Sequence, residues 1–221
     1  MANQKHTQDP LDLDEAMSAS EAFIIKYKNK FLIGIAAIVI VVGGFLGYKN
    51  FISEPNEIKA AEALFKGEQY FGNSSYEIAL NGDSLGYEGF LKVADEFSGT
   101  DAGELANAYA GICYAQLGQY ENAVKYLNKF SADDHLVSPA ILGTMGNCYA
   151  QLGELDKAAA TLVKAADKAN SHALSPIYLI QAGQIYEKLG KNSEAVSAYK
   201  AIKDKYFNSY QAMDIDKYIE R

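Results

Sequence analysis

From Phe31 to Tyr48 the chain reads FLIGIAAIVIVVGGFLGY, with no charged position and no strongly polar side chain before the closing tyrosine. As a helix, that run rises about 27 Å at ~1.5 Å per residue, close to a hydrocarbon core of ~30 Å. Phe23 to Ile25 and Phe51–Ile52 carry the apolar character into both flanks, so the expectation is one membrane-spanning signal-anchor helix over 23–52. A buried core helix is the alternative. It would need apolar neighbours on every side, and the rest of the chain is already committed to amphipathic segments. Lys26, Lys28 and Lys30 precede the run, whereas Lys49 and Lys59 follow it mixed with Glu54 and Glu57. That lysine excess places the N-terminal side in the cytoplasm. The following YKNFISEP holds no small-x-small cleavage site and no cysteine, so the anchor is expected to stay uncleaved. Residues 1–22 are expected to form a mostly disordered cytoplasmic tail, with a short helix starting at Ser20 as its N-cap. Gly43 and Gly47 form a GxxxG pair, a candidate contact for another transmembrane helix.

Beyond residue 55 the pattern changes to amphipathic helical periodicity, and it repeats. YAQLGQYENAVKYL (Tyr114–Leu127), YAQLGELDKAAATL (Tyr149–Leu162) and YEKLGKNSEAVSAY (Tyr186–Tyr199) align without gaps. Gly118, Gly153 and Gly190 step by 35 and 37 residues; Gly111, Gly146 and Gly183 stand seven before them, and Ala123, Ala158 and Ala195 five after. Such a unit is a helix–turn–helix: the later glycine ends the first helix in a left-handed conformation, and the small residues let two helices cross closely. Ser138-Pro139 and Ser175-Pro176 read as N-cap plus first-turn proline of two first helices. A degenerate unit is expected over 55–98. Its first helix is marked by Ile58, Ala61, Leu64 and Phe65, and its second, Leu85 to Phe97, by Phe90, Val93, Ala94 and Phe97. The intervening NSSYEIALNGDS shows a turn signal and no expected helix. Within 208–221, Tyr210 to Arg221 is expected to be one capping helix over the last repeat. The fold class is therefore all-α: a single transmembrane helix followed by an α-solenoid.

Composition sharpens this picture. The formal charge is 20 − 28 = −8, unsuited to a protein that neutralises nucleic-acid phosphates. After Tyr48, 16 basic and 23 acidic residues leave 16 − 23 = −7, so the repeat domain is the acidic part. A mean hydropathy of −0.14 is thus the average of an apolar anchor and a polar domain. No phosphate-binding glycine loop, HExxH or GxSxG occurs, and the 3 histidines cluster with no nucleophile, so neither an enzyme nor a cofactor is expected. Cys113 and Cys148 occupy equivalent repeat positions. Neighbouring helices pack ~8–10 Å apart and a disulfide needs Cα atoms within ~7 Å, so both are expected to be buried free thiols. His135 and His172 fall in the loops between repeats, and no metal site is expected there.

These repeats resemble the tetratricopeptide repeat, whose period is ~34 residues. Gly–x2–Tyr, the turn glycine and the following alanine match in all three copies over 101–207, whereas Asn107, Leu142 and Leu179 stand where that family has its first aromatic. The resemblance implies a protein-binding groove on the first helices. It maps to Ala108, Ile112, Ala115 and Gln116, to Gly143, Asn147 and Gln151, and to Ile180, Gln184 and Lys188. Of the residues with which some members clamp a carboxylate only Asn147 is present, while Ala108 and Gly143 stand where a cation is expected, so the implied groove is small and neutral. It suits an apolar or extended segment, or another helix. The layout as a whole, a lysine-flanked span before degenerate repeats, is similar to the ancillary SecYEG translocon subunit family of Gram-negative inner membranes. That likeness implies proteins as partners, namely SecYEG and periplasmic chaperones, with the repeats on the periplasmic side. Two other expectations stand beside it: a scaffold for a cell-wall, division or outer-membrane assembly, and a homo-oligomeric structural element.

Overall fold

The computed structural model describes residues 13–220, with side chains from residue 25 onward; His6 and the first part of the expected tail lie outside the described residues. The chain divides into two compact units, 1–54 and 55–221.

The first unit is α1 (Leu13–Tyr48), closed by one π-helical turn, Lys49–Ser53, in which the Glu54 N–H donates to the Lys49 carbonyl. The helix begins earlier than the sequence suggests. Ser20 is interior rather than a cap, and Leu13 to Ser20, expected as tail, is helical. Its LDEAMSAS composition supplies good helix formers, Ala, Glu, Met and Leu. Every side chain from Phe31 to Leu46 is exposed. This helix is long and apolar enough to cross a membrane.

The second unit starts with α2 (Glu54–Gly72), followed by α3 (Tyr76–Asn81) and α4 (Phe90–Glu96). The buried face of α2 is Ala60, Leu64 and Gly67, so of the stripe read from sequence only Leu64 is inward: Ile58 and Phe65 are 57% and 60% exposed, and Ala61 is exposed as well. The segment read as a turn contains α3, because Ala79 and Leu80 reach the core. Conversely, the second helix begins at Phe90 rather than Leu85. The cause is a tight loop: the Asp83 carboxylate accepts the N–H groups of Leu85 (2.7 Å) and Tyr87 (2.9 Å) and the Tyr70 hydroxyl. Leu85 is left 89% exposed at its tip.

Three helix pairs follow: α5 (Asp101–Gln116) with α6 (Tyr120–Leu127), α7 (Val137–Gln151) with α8 (Leu155–Ala169), and α9 (Ser175–Lys188) with α10 (Asn192–Lys205). The upstream glycine of each pair makes room for a large residue sixteen positions on. A Cβ on Gly111 would lie 2.6 Å from Leu127 Cγ, one on Gly146 2.7 Å from Leu162 Cγ, and one on Gly183 2.3 Å from Tyr199 Cε1. Gly67 does the same for Phe90 in the degenerate unit, at 2.4 Å from its Cε1. There the spacing is 90 − 67 = 23 residues, because α3 and the 82–89 loop intervene. The turn glycines Gly118, Gly153 and Gly190 take φ of +74°, +78° and +70°, the left-handed region that ends each first helix.

The proline-linked serines behave differently from the sequence expectation. Ser138 lies within α7, and Ser175 is the first residue of α9 rather than its cap. Both are buried and bond backward, the Ser138 hydroxyl donating to the Ala132 carbonyl (2.6 Å) and that of Ser175 to the Ala166 carbonyl (2.7 Å). They tie each repeat to the end of the one before. Asp134 caps α7 instead, accepting the N–H groups of Leu136 (2.7 Å), Val137 (2.6 Å) and Ser138 (3.2 Å).

At the C-terminal end the expected single helix is two short ones, a 3-10 turn (Tyr210–Asp214) and α11 (Asp216–Ile219). Ser209 starts the turn by accepting the Ala212 N–H, and Ile215 between the two elements is inserted 1% exposed beside Tyr199 and Ile202. The core is thus built in successive clusters: Leu64, Phe90 and Cys113 around α2–α5; Ala108, Leu127, Ile141 and Met145 around α5–α7; Leu179, Tyr199 and Ile215 around α9–α11.

Candidate functional site

Residues four apart on a helix share a face, so α5, α7 and α9 each carry one ridge of the expected groove residues. Gln116, Asn147, Gln151, Gln184 and Lys188 are exposed, while Ile112, Ala115 and Ile180 are half-buried. Together they form a surface of amides and aliphatic flanks with a single cation, Lys188, able to hydrogen-bond an extended main chain. It holds no carboxylate. Two expected groove residues are not available to a ligand. Ala108 is 3% exposed in the cluster with Leu127, Ile141 and Met145. Gly143 lies under Tyr178 of the next repeat, where a Cβ would come within 2.4 Å of the ring. Both are packing positions. Ala108 stands three residues before the inward Gly111, a spacing that marks the same helix face.

The residues that sequence reasoning missed are carboxylates that hold backbone. Glu57 accepts the N–H groups of Asp101 and Ala102, both at 3.0 Å, at the start of α5, where the Thr100 hydroxyl also caps Gly103 (2.9 Å). Glu104 accepts the Ala132 N–H (2.8 Å), the Ser131 hydroxyl (2.8 Å) and the Ser131 N–H. Partial desolvation pushes the Glu104 carboxyl up, yet these donors hold it below the usual carboxylate range. Asp134 shows the same balance more strongly: desolvation opposes ionisation, and the α7 N–H groups with Ser138 bring it down to about 2. His135 Nδ1 lies 3.1 Å from the Lys168 carbonyl, and the Lys168 ammonium pairs with Asp133. The connection between α6 and α7 is therefore pinned from both adjoining repeats, by side chains with no obvious motif.

That connection borders a cavity of about 480 Å³, with Leu127, Phe130, Ile141 and Met145 in its wall and Lys164 and Lys168 at its edge. On α7 the cavity residues (138, 141, 142, 145, 149) and the ridge residues (143, 147, 151) lie on opposite faces at ~100° per residue.

Cys113 and Cys148 are free and buried, on equivalent turns of α5 and α7. Burial pushes their thiols up to about 12 and about 11, so neither is a nucleophile near neutral pH. His172 packs edge-on against Tyr206 and Phe207, at 5.6 and 6.1 Å between ring centroids, and the two histidines thus have different neighbours. Among the described residues no group of three histidine, cysteine or acidic side chains is placed to hold a metal ion.

No curated protein matches the chain. One family model described as tetratricopeptide repeat matches residues 110–130 and 139–167, and a second so described matches 178–209. The first match begins one residue before Gly111, and the spans take in α6, α10 and most of α7, α8 and α9 with the helix-crossing and turn glycines of the three pairs. Residues 110–130, 139–167 and 178–209 thus match tetratricopeptide repeats, and the fold is an all-α repeat domain preceded by one long apolar helix.

Proposed function

We propose that this protein is a membrane-anchored protein-interaction module, with α1 crossing the bacterial inner membrane once and the repeats facing the periplasm. The observation that carries the reading is the pairing of a fully exposed apolar helix with tetratricopeptide repeats, a fold that generally serves protein binding. Lipid is the solvent that matches an apolar helix whose side chains from Phe31 to Leu46 are all exposed. Lys26, Lys28 and Lys30 before the span favour a cytoplasmic N-terminus. The role is non-catalytic: the first-helix ridge, with Gln116, Asn147, Gln151, Gln184 and Lys188, holds an extended or helical partner segment. On the resemblance in layout, the partners are the Sec translocon and the periplasmic chaperones that receive emerging chains.

A second reading has its own observation. Gly43 and Gly47 have open space where a side chain would stand, which suits the close approach of a second anchor helix. Crosslinking in intact membranes with mass spectrometry separates the readings. Sec components and chaperones are the expected catch; envelope-assembly proteins would point to a scaffold instead, and only self-crosslinks to a homo-oligomer. Protease added to spheroplasts should digest the repeats. Protection there, with digestion only after lysis, would sink the periplasmic assignment and its partners together.

A further inference from the structure

The cavity between α6, α7 and α8 exists because α6 stops early. It has 8 residues, against 15 in α8 and 14 in α10, and its last residue Leu127 is followed by an irregular stretch to Leu136. A second helix of ordinary length would continue over the face of α7 that carries Ile141 and Met145. Instead the chain turns away at Asn128, whose side-chain amide caps the helix by donating to the Val124 carbonyl (2.9 Å). Glu104 and Asp134 then hold the loop to the side. The gap is thus maintained by specific hydrogen bonds rather than left by loose packing. At about 480 Å³ it falls within the ~300–1,000 Å³ typical of ligand sites.

Its chemistry has two parts. The wall is apolar and adaptable, with Phe130, Ile141 and the flexible thioether of Met145. The charged lining is Asp133, Lys164 and Lys168, a sum of −1 + 2 = +1 within a region after the span that carries −7. Asp133 and Lys168 pair with each other, and among the described residues Lys164 makes no ion pair, with its side chain exposed at the edge. One unneutralised cation beside an apolar recess complements one carboxylate beside an apolar side chain. Asn128 and Thr161 also line the cavity and offer hydrogen bonds to a main chain, which an acyl chain would leave unused.

We propose that this cavity docks an extended protein segment in which a bulky apolar residue adjoins an acidic one. The apolar side chain enters beside the half-buried Phe130 and Tyr149, over the nearly buried Ile141 and Met145 at the floor, and the acidic one reaches Lys164. The site lies on the α7 face opposite the first-helix ridge, so one repeat domain holds two different segments at once. The inference is independent of the groove and of the side of the membrane on which the domain stands.

The test uses the full chain in detergent micelles with ¹³C-methyl-labelled methionine. The probes are acetyl-Gly-Phe-Leu-Asp-Gly-amide and its Asn counterpart. The Asp peptide should shift the Met145 methyl signal, leave that of Met213 in place and saturate. Lys164→Glu should weaken it about three- to fivefold or more, the scale of an exposed charge pair, while the Asn peptide binds more weakly and equally to both proteins. No Met145 shift at millimolar peptide, or equal affinity of the Asp peptide for wild type and Lys164→Glu, overturns the proposal. So does decanoate moving Met145 where the peptide does not, since the occupant would then be an acyl chain.

Discussion

An added methyl group at Gly111 would fall 2.6 Å from Leu127 Cγ and 2.9 Å from the Leu127 backbone nitrogen, and the latter has little room to retreat. Overpacking of this kind costs about 1–3 kcal/mol, of which better helix propensity returns up to about 1. Gly111→Ala should therefore lower the denaturation midpoint, and urea titration checks it. Gly43→Ala, with nothing within 4 Å, should leave that midpoint unchanged. The glycine positions were legible in sequence because a missing side chain is a constraint that repeats must each satisfy. Ala108 and Gly143 were not, because the same small size serves both a groove floor and a helix contact, and only the neighbouring Met145 and Tyr178 separate the two. The thiols give a second residue-scale expectation. With folded values raised to about 12 and 11 from 9.0, Cys113 and Cys148 favour the native state fully below pH 9. That contribution fades as pH rises toward those values. A maleimide at pH 7.5 should label neither thiol in the native protein and both in urea, whereas rapid native labelling would mean that α5 and α7 open locally.

Asp134 governs an element rather than a packing contact, since it ends the loop and starts α7. Its carboxyl falls from 3.8 to about 2 on folding, so it stabilises the native state above pH 4 and ceases to do so as pH drops through about 2. Asp134→Asn should lower stability at pH 7 and flatten the fall in melting temperature between pH 4 and 2. Parallel melts of the two proteins across that range check both. Elements were legible where periodicity was undisturbed: α5 to α10 follow from the aligned repeats. The degenerate unit was harder to read because its helix-crossing pair, Gly67 and Phe90, is spread over 23 residues and interrupted by α3. Its apolar stripe misled for a related reason. Ile58 and Phe65 are hydrophobic yet outward, and hydrophobicity alone does not say which side of a helix meets the core. The C-terminal helix was misread because burial there rests on one side chain, Ile215, set between two short turns.

For the whole molecule, the decisive sequence feature was the contrast between a chargeless apolar run and an acidic repeat domain, which the average composition conceals. Three clusters within the repeat core each involve only nearby helices. In such a structure the damage from a local cut should stay local. Deleting 210–221 removes Ile215 from Tyr199 and Ile202, and amide exchange in α9 and α10 should accelerate well before that in α5 and α6. Uniform acceleration along the chain would instead mean that the clusters melt as one body. The partition also bears on how the protein is made. Since the contacts join segments close in sequence, closing each helix pair requires only a short loop, and such low-contact-order chains fold quickly. A domain synthesised from its N-terminal end can bury Leu64 and Phe90 against α5 while its final helices are still being made. Apolar surface is then concealed in step with its arrival, and the span of chain open to aggregation or proteolysis remains one repeat long.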